Sequence, residues 1–391
     1  MNTREPISPS LTLDLAVLTR AVCAALGRSA IAIERWQVRP VGAGAGAATE
    51  GVYRVSGTAT DRSTRLDWAL ILKIIRPAAA AWNPAAREID HPIYWKREAL
   101  AYQSGLLADL PGGTAALRCF AIEERAAESC WLWLEEVEDS YGPRWPLAQY
   151  AHAARALGRF NGTCLAGQPL PTYPWLGPPG AMRGLLQAFA FVQDVVRDEA
   201  TWQHPLLRAA FPTPIADRLL RLWHDRGPLL AALDQLPQTL CHKDAFRRNM
   251  FAPSDAHGQR QLVPIDWAYV GRGEIGLDAA DLFGASYSTF GVEPTDLQAF
   301  DATIFDSYMA GLREAGWRSD PQVVRFGFAA STALKYGGLL LWLNDLADER
   351  RWAAWEARSG QPIDTFVQHQ AGLVTYLLEL AGEAHELLRA I

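Results

Sequence analysis

Two neighbouring stretches decide the fold of this chain, Leu240-Cys241-His242-Lys243-Asp244-Ala245-Phe246-Arg247-Arg248-Asn249-Met250-Phe251 and Val263-Pro264-Ile265-Asp266-Trp267. They place a carboxylate at Asp244, a carboxamide five positions later at Asn249, and a second carboxylate at Asp266, where an apolar run ends. Phosphoryl transfer needs a group that orients the attacking hydroxyl and oxygen ligands that hold Mg²⁺. The order of these side chains therefore predicts one base, Asp244, and two metal ligands, Asn249 and Asp266.

Each of these residues taken alone has an ordinary structural explanation. A His and an Asp on either side of a Lys are usual in a solvated loop, and an Asp after an apolar run is often a turn residue. The joint pattern of spacing, hairpin and buried strand favours the chemical interpretation. We expect His242, which we group with the catalytic residues, to hold the loop by hydrogen bonds rather than to take part in the reaction.

The residues before and after these stretches differ in character. Toward the N-terminus, predicted strands cover residues 31–41, 51–55, 67–75 and 131–137, and predicted helices cover 10–26 and 95–107. Residues 77–92, rich in alanine and proline, predict a loop. From residue 147 onward helical periodicity dominates, with predicted helices over 147–166, 182–199, 214–236, 296–315, 323–347 and 363–389. Residues 249–267 are the exception and predict a hairpin.

This division predicts an α+β fold of two lobes, because 391 residues exceed what one compact core normally accommodates. The change in character falls near residues 135–145. We expect residues 1–138 to form a small N-terminal lobe with a sheet that binds nucleotide. Residues 139–391 would form a larger, mostly helical lobe that carries the catalytic loop and the substrate-binding helices.

Composition excludes several classes of protein. The net charge of −6 disfavours a nucleic-acid partner, which usually requires a basic face. The five cysteines form no C-x-x-C pair, so neither a disulfide framework nor a thiolate zinc site is indicated. The polar N-terminus lacks the features of a signal peptide, and no apolar run is long enough to span a bilayer. We expect a cytoplasmic monomer or homodimer with no membrane partner.

The catalytic stretch resembles a known superfamily. His242-Lys243-Asp244 with Asn249, followed by Ile265-Asp266-Trp267, is similar to the catalytic loop and metal motif of the aminoglycoside phosphotransferase and choline kinase-like superfamily, to which protein kinases are more distantly related. The resemblance implies a bilobal protein kinase-like fold with an antiparallel sheet, and ATP and Mg²⁺ as cofactors. The implied substrate is a small molecule with a hydroxyl group, such as an aminoglycoside, choline or a sugar.

The resemblance extends to Gly271-Arg272-Gly273 and Gly276-Leu277-Asp278-Ala279-Ala280. In such kinases an Asp at the place of Asp278 supports the metal loop, although an isolated Asp there would more often be a helix N-cap. Two departures stand out. Lys243 occupies the place of a usual Gly, and Trp267-Ala268 replaces the Phe-Gly of protein kinases.

The resemblance also implies a Lys on a strand and a Glu on the next helix. Lys73 lies in an apolar predicted strand, where its ammonium needs a partner such as a phosphate or a carboxylate. An edge-strand lysine that points to water is the alternative. Glu98 fits the second position better than Glu88, which lies in the proline-containing segment.

Two further segments would contact the nucleotide in a member of this superfamily. Gly42, Gly44 and Gly46 would form a loop over the phosphates, since glycine lets backbone N–H groups approach closely. An ordinary hairpin turn explains them nearly as well. The segment from Glu135 to Val137 matches the hinge whose backbone binds adenine, or is an interdomain strand without special role.

Three functions compete. A small-molecule O-phosphotransferase explains why all five expected polar positions are filled, whereas a nucleotide-binding pseudokinase would not need all of them. These positions are Lys73, Glu98, Asp244, Asn249 and Asp266. A hydrolase ranks last, because neither H-E-x-x-H nor G-x-S-x-G occurs. The acceptor is not specified by the sequence. Tryptophans and acidic residues of the helical part could line a pocket for a bulky or cationic acceptor, or be core and solvated-face residues: Trp175, Trp202, Trp342, Trp352, Trp355, Asp345, Glu349 and Glu356.

Overall fold

The computed structural model describes residues 11–41, 48–62, 64–81, 83–126, 128–253, 261–293, 295–318, 320–338 and 340–390. Contacts divide the chain into two compact units. The first comprises Met1–Asp109 and Ala115–Glu138, and the second comprises Leu110–Thr114 and Asp139–Ile391. One unit is built on a sheet and the other is mostly helical, which confirms the predicted α+β class.

The first unit contains a five-stranded antiparallel sheet with the strand order β1-β2-β3-β5-β4. Its strands are β1 (Ala32–Pro40), β2 (Thr49–Asp61), β3 (Thr64–Ile75), β4 (Cys119–Arg125) and β5 (Ser129–Glu135). The sequence did not predict β4. This edge strand is partly exposed along its length and carries three consecutive charged residues, so it lacks the apolar run of a buried strand.

Two helices complete the first unit, α1 (Leu15–Leu26) and α2 (Arg97–Gln103). The side chain of Asp14 caps α1 by accepting hydrogen bonds from the backbone N–H groups of Ala16 and Val17. The apolar face of α1 packs on the sheet and forms one core with it. Both helices are shorter than predicted, and the expected loop over residues 77–92 contains two short 3-10 turns.

The second unit is built from helices around one large apolar core. They are α3 (Leu147–Leu165), α4 (Ala181–Ala188), α5 (Val192–Arg197), α6 (Glu199–Trp202), α7 (Pro205–Ala210), α8 (Ala216–His224), α9 (Arg226–Gln235), α10 (Leu277–Ser288), α11 (Leu297–Glu314), α12 (Pro321–Gly338), α13 (Leu341–Leu346), α14 (Trp352–Ser359) and α15 (Ile363–Ala390). Helix α3 packs along α11, and α12 packs along α15 and α10. None of the described helices combines the length and the hydropathy that a membrane crossing requires.

Several predicted helices of this unit are interrupted. The helix expected over 214–236 breaks at Asp225, and the one expected over 323–347 ends at Gly338 before α13 begins. The segment 182–199 is likewise two helices, α4 and α5. Helix α10 was not predicted, because most of its residues are buried on every side and its sequence shows little amphipathic period.

Two short antiparallel ladders hold the central stretch of the chain. Strand β6 (Gln238–Cys241) pairs with β9 (Gly271–Glu274), and β7 (Met250–Phe251) pairs with β8 (Val263–Pro264). The second ladder is the hairpin predicted over 249–267. At Gly271 a Cβ atom would lie 2.3 Å from the carbonyl oxygen of Gly177, so the close approach of these segments requires glycine. Residues 242–249, which we call the catalytic loop, run from β6 to β7.

Candidate active site

The catalytic loop is held from below by one carboxylate, that of Asp278 in the first turn of α10. The backbone N–H groups of His242 and Lys243 donate to its two oxygens at 3.0 and 2.9 Å, and the side-chain amide of Asn161 donates at 2.9 Å. Lys243 has a φ of +66°, which a side-chain-bearing residue adopts at a cost. The Asp278 carboxylate therefore stabilises a backbone conformation that the chain would not adopt by itself.

Asp244 and Asn249 meet at the top of this loop. The Asn249 amide nitrogen donates to Asp244 Oδ2 at 2.8 Å and to the Asp244 carbonyl oxygen at 3.1 Å. Because the amide NH₂ is used in this way, the carboxamide oxygen of Asn249 remains the acceptor that can bind a metal ion. Asp244 as a whole residue is half-buried.

Asp266 lies beside this pair because the β7–β8 ladder joins the two stretches. The Ile265 N–H donates to the Asn249 carbonyl oxygen at 2.8 Å, one residue before Asp266. Asp266 has a left-handed backbone conformation, with φ +60° and ψ 67°. Asp adopts this region more readily than most residues, and such outliers are concentrated at functional sites.

His242 is fully buried and links the two stretches rather than facing a substrate. Its Nδ1 accepts a hydrogen bond from the Asp244 N–H at 3.3 Å, so the ring proton resides on Nε2, which donates to the Ile265 carbonyl oxygen at 3.0 Å. The ring also packs 4.6 Å from that of Trp267. These are the contacts of a positioning residue.

The electrostatic setting of Asp244 is unusual for a carboxylate. Burial raises its pKa to about 7, against the opposing effect of the Lys335 ammonium. The negative charges of Asp266 and Asp281 raise the pKa further, and the hydrogen bond from Asn249 lowers it. A perturbed carboxylate beside other carboxylates is a common mark of a catalytic or cation-binding site.

A buried ion pair beside the loop was missed by the sequence analysis. Lys335 on α12 donates to Asp281 Oδ1 at 2.6 Å and to the Lys243 carbonyl oxygen at 3.3 Å, and Tyr336 donates to the same Asp281 oxygen at 2.9 Å. Lys335 thus anchors the residue immediately before Asp244. A lysine within the apolar sequence of α12 was a usable signal, the same one that singled out Lys73.

A second missed group lies below Asp278. Tyr308 donates to the side-chain oxygen of Asn161 at 2.8 Å, and Thr239 donates to the Asn161 carbonyl oxygen at 2.6 Å. Asn161 is fully buried in α3, where a polar side chain requires partners. It connects α3 and α11 with the carboxylate that supports the catalytic loop.

In the first unit, Lys73 and Glu98 come together. The Lys73 ammonium lies 2.5 Å from the Glu98 carboxylate, and the exposed fractions of the two side chains are 7% and 2%. Lys73 lies on β3, an interior strand of the sheet, so the edge-strand alternative does not hold. Glu88, the competing carboxylate, is exposed at the end of a 3-10 turn.

Only some of the other residues predicted to contact the nucleotide lie in the described part of the chain. Glu135 ends β5, and its carboxylate accepts hydrogen bonds from the guanidinium and the backbone N–H of Arg118 at 2.8 and 3.1 Å. Val137 follows in a segment without regular secondary structure. Gly42, Gly44 and Gly46 lie outside the described residues.

The oxygen atoms of the second unit suit a magnesium ion that also binds a nucleotide. Among the described residues, no group of three His, Cys, Asp or Glu side chains could enclose a metal ion. Asn249 and Asp266 would offer an amide and a carboxylate oxygen, ligand types that Mg²⁺ favours, and water and phosphate usually complete the shell of this ion. The donor set therefore fits Mg²⁺ and does not fit a zinc site.

The acidic residues considered for a cationic acceptor are largely engaged elsewhere. Asp345 forms an ion pair with Arg351 and accepts a hydrogen bond from the Trp355 indole at 3.2 Å. Glu356 accepts a hydrogen bond from the Ile363 N–H at 3.0 Å. Two of the tryptophans considered for the same pocket are buried, Trp175 and Trp342.

Comparison with solved structures identifies the fold. The chain is similar to an aminoglycoside phosphotransferase from Alicyclobacillus acidocaldarius, with 13% identity, a TM-score of 0.52 and 99% of each chain covered. It is also similar to amicoumacin kinase in complex with AMP-PNP, Ca²⁺ and Ami, with 15% identity, a TM-score of 0.50, and 86% of this chain and 88% of that chain covered.

A third similar structure is a microcompartment-associated aminopropanol kinase, with 14% identity, a TM-score of 0.50, and 93% of this chain and 98% of that chain covered. No protein-family model and no curated protein matches the sequence. At these identities the likeness establishes the fold, and the chemistry must be argued from the residues themselves.

Proposed function

We propose that this chain, which has the fold of the aminoglycoside phosphotransferase and choline kinase-like superfamily, transfers the γ-phosphoryl group of ATP to a hydroxyl group of a small molecule. The observation that carries the proposal is the arrangement at the catalytic loop. Asn249 donates to Asp244 and thereby orients both a carboxylate and an amide oxygen, next to Asp266. This is the minimum set for orienting a hydroxyl and holding a metal-bound phosphate.

The residues would divide the work as follows. Asp244 would accept a hydrogen bond from the acceptor hydroxyl and take up its proton as the new P–O bond forms, while the bond from the γ-phosphorus to the β,γ-bridging oxygen breaks and ADP leaves. Asn249 and Asp266 would bind Mg²⁺, which supplies charge neutralisation for the triphosphate. Lys73, fixed by Glu98, would donate to phosphate oxygens, and backbone groups between Glu135 and Val137 would bind the adenine.

A non-catalytic nucleotide-binding module is the second candidate. It would keep the fold without needing a reactive carboxylate. Asp244 argues against it, because a half-buried carboxyl with a raised pKa serves no evident structural purpose. The intact buried pair of Lys73 and Glu98 argues in the same direction, since a buried pair of this kind contributes little to stability on its own.

The test is a Mg²⁺-dependent ATP-consumption screen with the purified chain. The acceptors should include aminoglycosides, macrolides, choline, amino alcohols, sugars and hydroxy acids, each with and without excess EDTA. We expect consumption that requires one acceptor class and Mg²⁺, with a phosphorylated product of the matching mass. Nucleotide binding without turnover of any acceptor would favour the non-catalytic module instead.

The metal role of Asp266 has its own test. We expect Asp266→Ala to weaken Mg²⁺-dependent ATP binding by about tenfold or more, because one of two protein ligands is lost. Asp306→Ala, an exposed aspartate on α11, is the matched control and should bind as the wild type does. An unchanged nucleotide titration for Asp266→Ala would refute the assignment.

A further inference from the structure

A basic cavity of about 550 Å³ in the second unit is partly lined by the catalytic loop. Its walls come from the loop, the segment before α3, the end of α10, and α14. Four arginines and two phenylalanines line it, Arg144, Arg247, Arg248, Arg358, Phe251 and Phe290. Arg247 and Arg248 lie between Asp244 and Asn249 in sequence, so two of the cavity's lining residues belong to the loop that carries the proposed base.

Within the described part of the chain, one of these four arginines is paired with a carboxylate. Arg247 is buried, forms an ion pair with Asp139 and lies over the Trp145 ring at 4.4 Å. Arg144, Arg248 and Arg358 have no carboxylate within ion-pair distance among the described residues. The whole chain carries a net charge of −6, so three such arginines around one cavity are a local reversal of charge.

Arg248 and Arg358 contact each other despite their like charges. Arg248 donates to the backbone carbonyl oxygen of Arg358 at 3.1 Å, and the Arg358 guanidinium lies 4.7 Å from the centre of the Trp355 ring. An anion that enters between these two guanidinium groups would relieve the repulsion of their like charges.

One wall of the cavity is also strained. Phe290 has a φ of +58°, an outlier for a bulky residue, and its ring stacks on that of His369 at 4.0 Å. The neighbouring Gly291 is held by a hydrogen bond from the Trp145 N–H at 2.8 Å. A Cβ atom at Gly291 would lie 2.8 Å from Arg247 Cβ, so this turn packs tightly against the loop. Strain of this kind is concentrated at binding sites.

We propose that this cavity binds an oxyanion, a carboxylate or a phosphate, carried by the acceptor whose hydroxyl is phosphorylated. The proposal rests on the proposed function and specifies its substrate class. The planar guanidinium groups of Arg248 and Arg358 offer the paired N–H donors that suit such oxyanions, and Arg144 adds positive charge. A polycationic acceptor would be repelled here, and the acidic residues Asp345 and Glu356 are already engaged.

The first experiment compares matched acceptors that differ in charge. Each set contains a neutral alcohol, its carboxylate and its phosphate ester, for example glycerol, glycerate and glycerol phosphate, or a sugar, its uronic acid and its sugar phosphate. We expect one anionic member to exceed its neutral partner by about tenfold or more in kcat/KM. The carboxylate and phosphate arms identify which oxyanion is used. A preference for neutral or cationic members would overturn the proposal.

The second experiment assigns that preference to the cavity. Arg248→Gln and Arg358→Gln should each raise KM for the anionic acceptor by about tenfold. Arg358 lies on α14, outside the catalytic loop, so Arg358→Gln should also leave kcat within about twofold and leave neutral acceptors unchanged. Both residues are exposed, so the variants should fold. Arg218→Gln, an exposed arginine on α8, is the matched control. An unchanged KM in both cavity variants would overturn the proposal.

A third measurement separates this proposal from the proposed function. Inorganic phosphate is titrated into the full chain by calorimetry, without nucleotide, for the wild type, the double variant Arg248→Gln/Arg358→Gln, and Arg218→Gln. Saturable phosphate binding that is lost only in the double variant supports the anion site, even when no acceptor is turned over. The missing turnover would then count against the proposed phosphotransferase activity and not against the anion site. If an acceptor is turned over but the double variant still binds phosphate, the result would count against the anion site and not against the proposed function.

Discussion

Two carboxylates, one within the catalytic loop and one that binds its backbone, have contrasting environments. Asp278 is fully buried and accepts three hydrogen bonds, from Asn161 and from the N–H groups of His242 and Lys243. Asp244 is partly exposed and accepts one side-chain hydrogen bond, from Asn249. The contrast teaches that the number of donors, together with burial, separates a carboxylate that holds the backbone from the one that we propose to act in the reaction.

The largest expected effect comes from Asp244. We expect Asp244→Asn to reduce kcat by about 10³-fold, because the amide cannot accept the proton of the acceptor hydroxyl. ATP binding should remain within a few-fold of the wild type, since Asn249 and Asp266 are retained. The measurement is steady-state turnover with the best acceptor from the screen, with Asp306→Asn as control. Turnover within tenfold of the wild type would remove Asp244 from the role of base.

Asp278 should instead affect stability first. Asp278→Ala leaves the Asn161 amide and two backbone N–H groups buried without an acceptor, which we expect to lower the free energy of unfolding by about 4 kcal/mol. Urea denaturation measures the change, with Asp306→Ala as a control that should shift it by less than about 0.5 kcal/mol. A loss for Asp278→Ala no larger than that of the control would show that the saturated carboxylate is dispensable for the fold.

The residues proposed to act on substrate and metal were easier to find in the sequence than the residues that support the catalytic loop. Asp244, Asn249 and Asp266 lie within one local pattern, and the structure brings Asn249 and Asp266 to Asp244 through a hairpin that the turn residues already indicated. Lys73 could likewise be found because a charged side chain interrupts an apolar strand, which creates a need for a partner.

The supporting residues could not be found in the same way. Asn161 reaches Asp278 across 117 positions of sequence, and Lys335 reaches the Lys243 carbonyl across 92. Such pairings depend on how the helices pack, which local pattern does not encode. Helix α10, which carries both Asp278 and Asp281, was missed for a related reason, because a helix buried on all sides has little amphipathic period.

Lys335 offers a test of the region between the two carboxylates. Lys335→Met removes the partner of the buried Asp281 carboxylate, and we expect a loss of about 3 kcal/mol in the free energy of unfolding. The double variant Lys335→Met/Asp281→Leu should recover part of that loss, because no unpaired charge remains buried. Additive losses in the double variant would show that the two side chains stabilise the fold independently.

The smallest expected effect is on the pH dependence of stability, and it returns to Asp244 in the metal-free chain. The pKa of this carboxyl is about 7 in the folded protein, against an ordinary value of 3.8, so the folded state retains a proton that the unfolded state has released between these values. The contribution of Asp244 to stability therefore falls as the pH rises from about 4 through about 7.

Asp244→Asn abolishes this ionisation. Relative to the wild type, the variant should gain about 1 kcal/mol in unfolding free energy between about pH 5.5 and about pH 8.5, a value reduced for the partial exposure of the carboxylate. Parallel urea titrations in EDTA at the two pH values measure the difference. If Asp244 destabilises the free protein and is also required for turnover, its small number of hydrogen-bond donors is retained for the reaction and not for stability. A constant difference between variant and wild type would place Asp244 with Asp278, among the carboxylates that serve the fold.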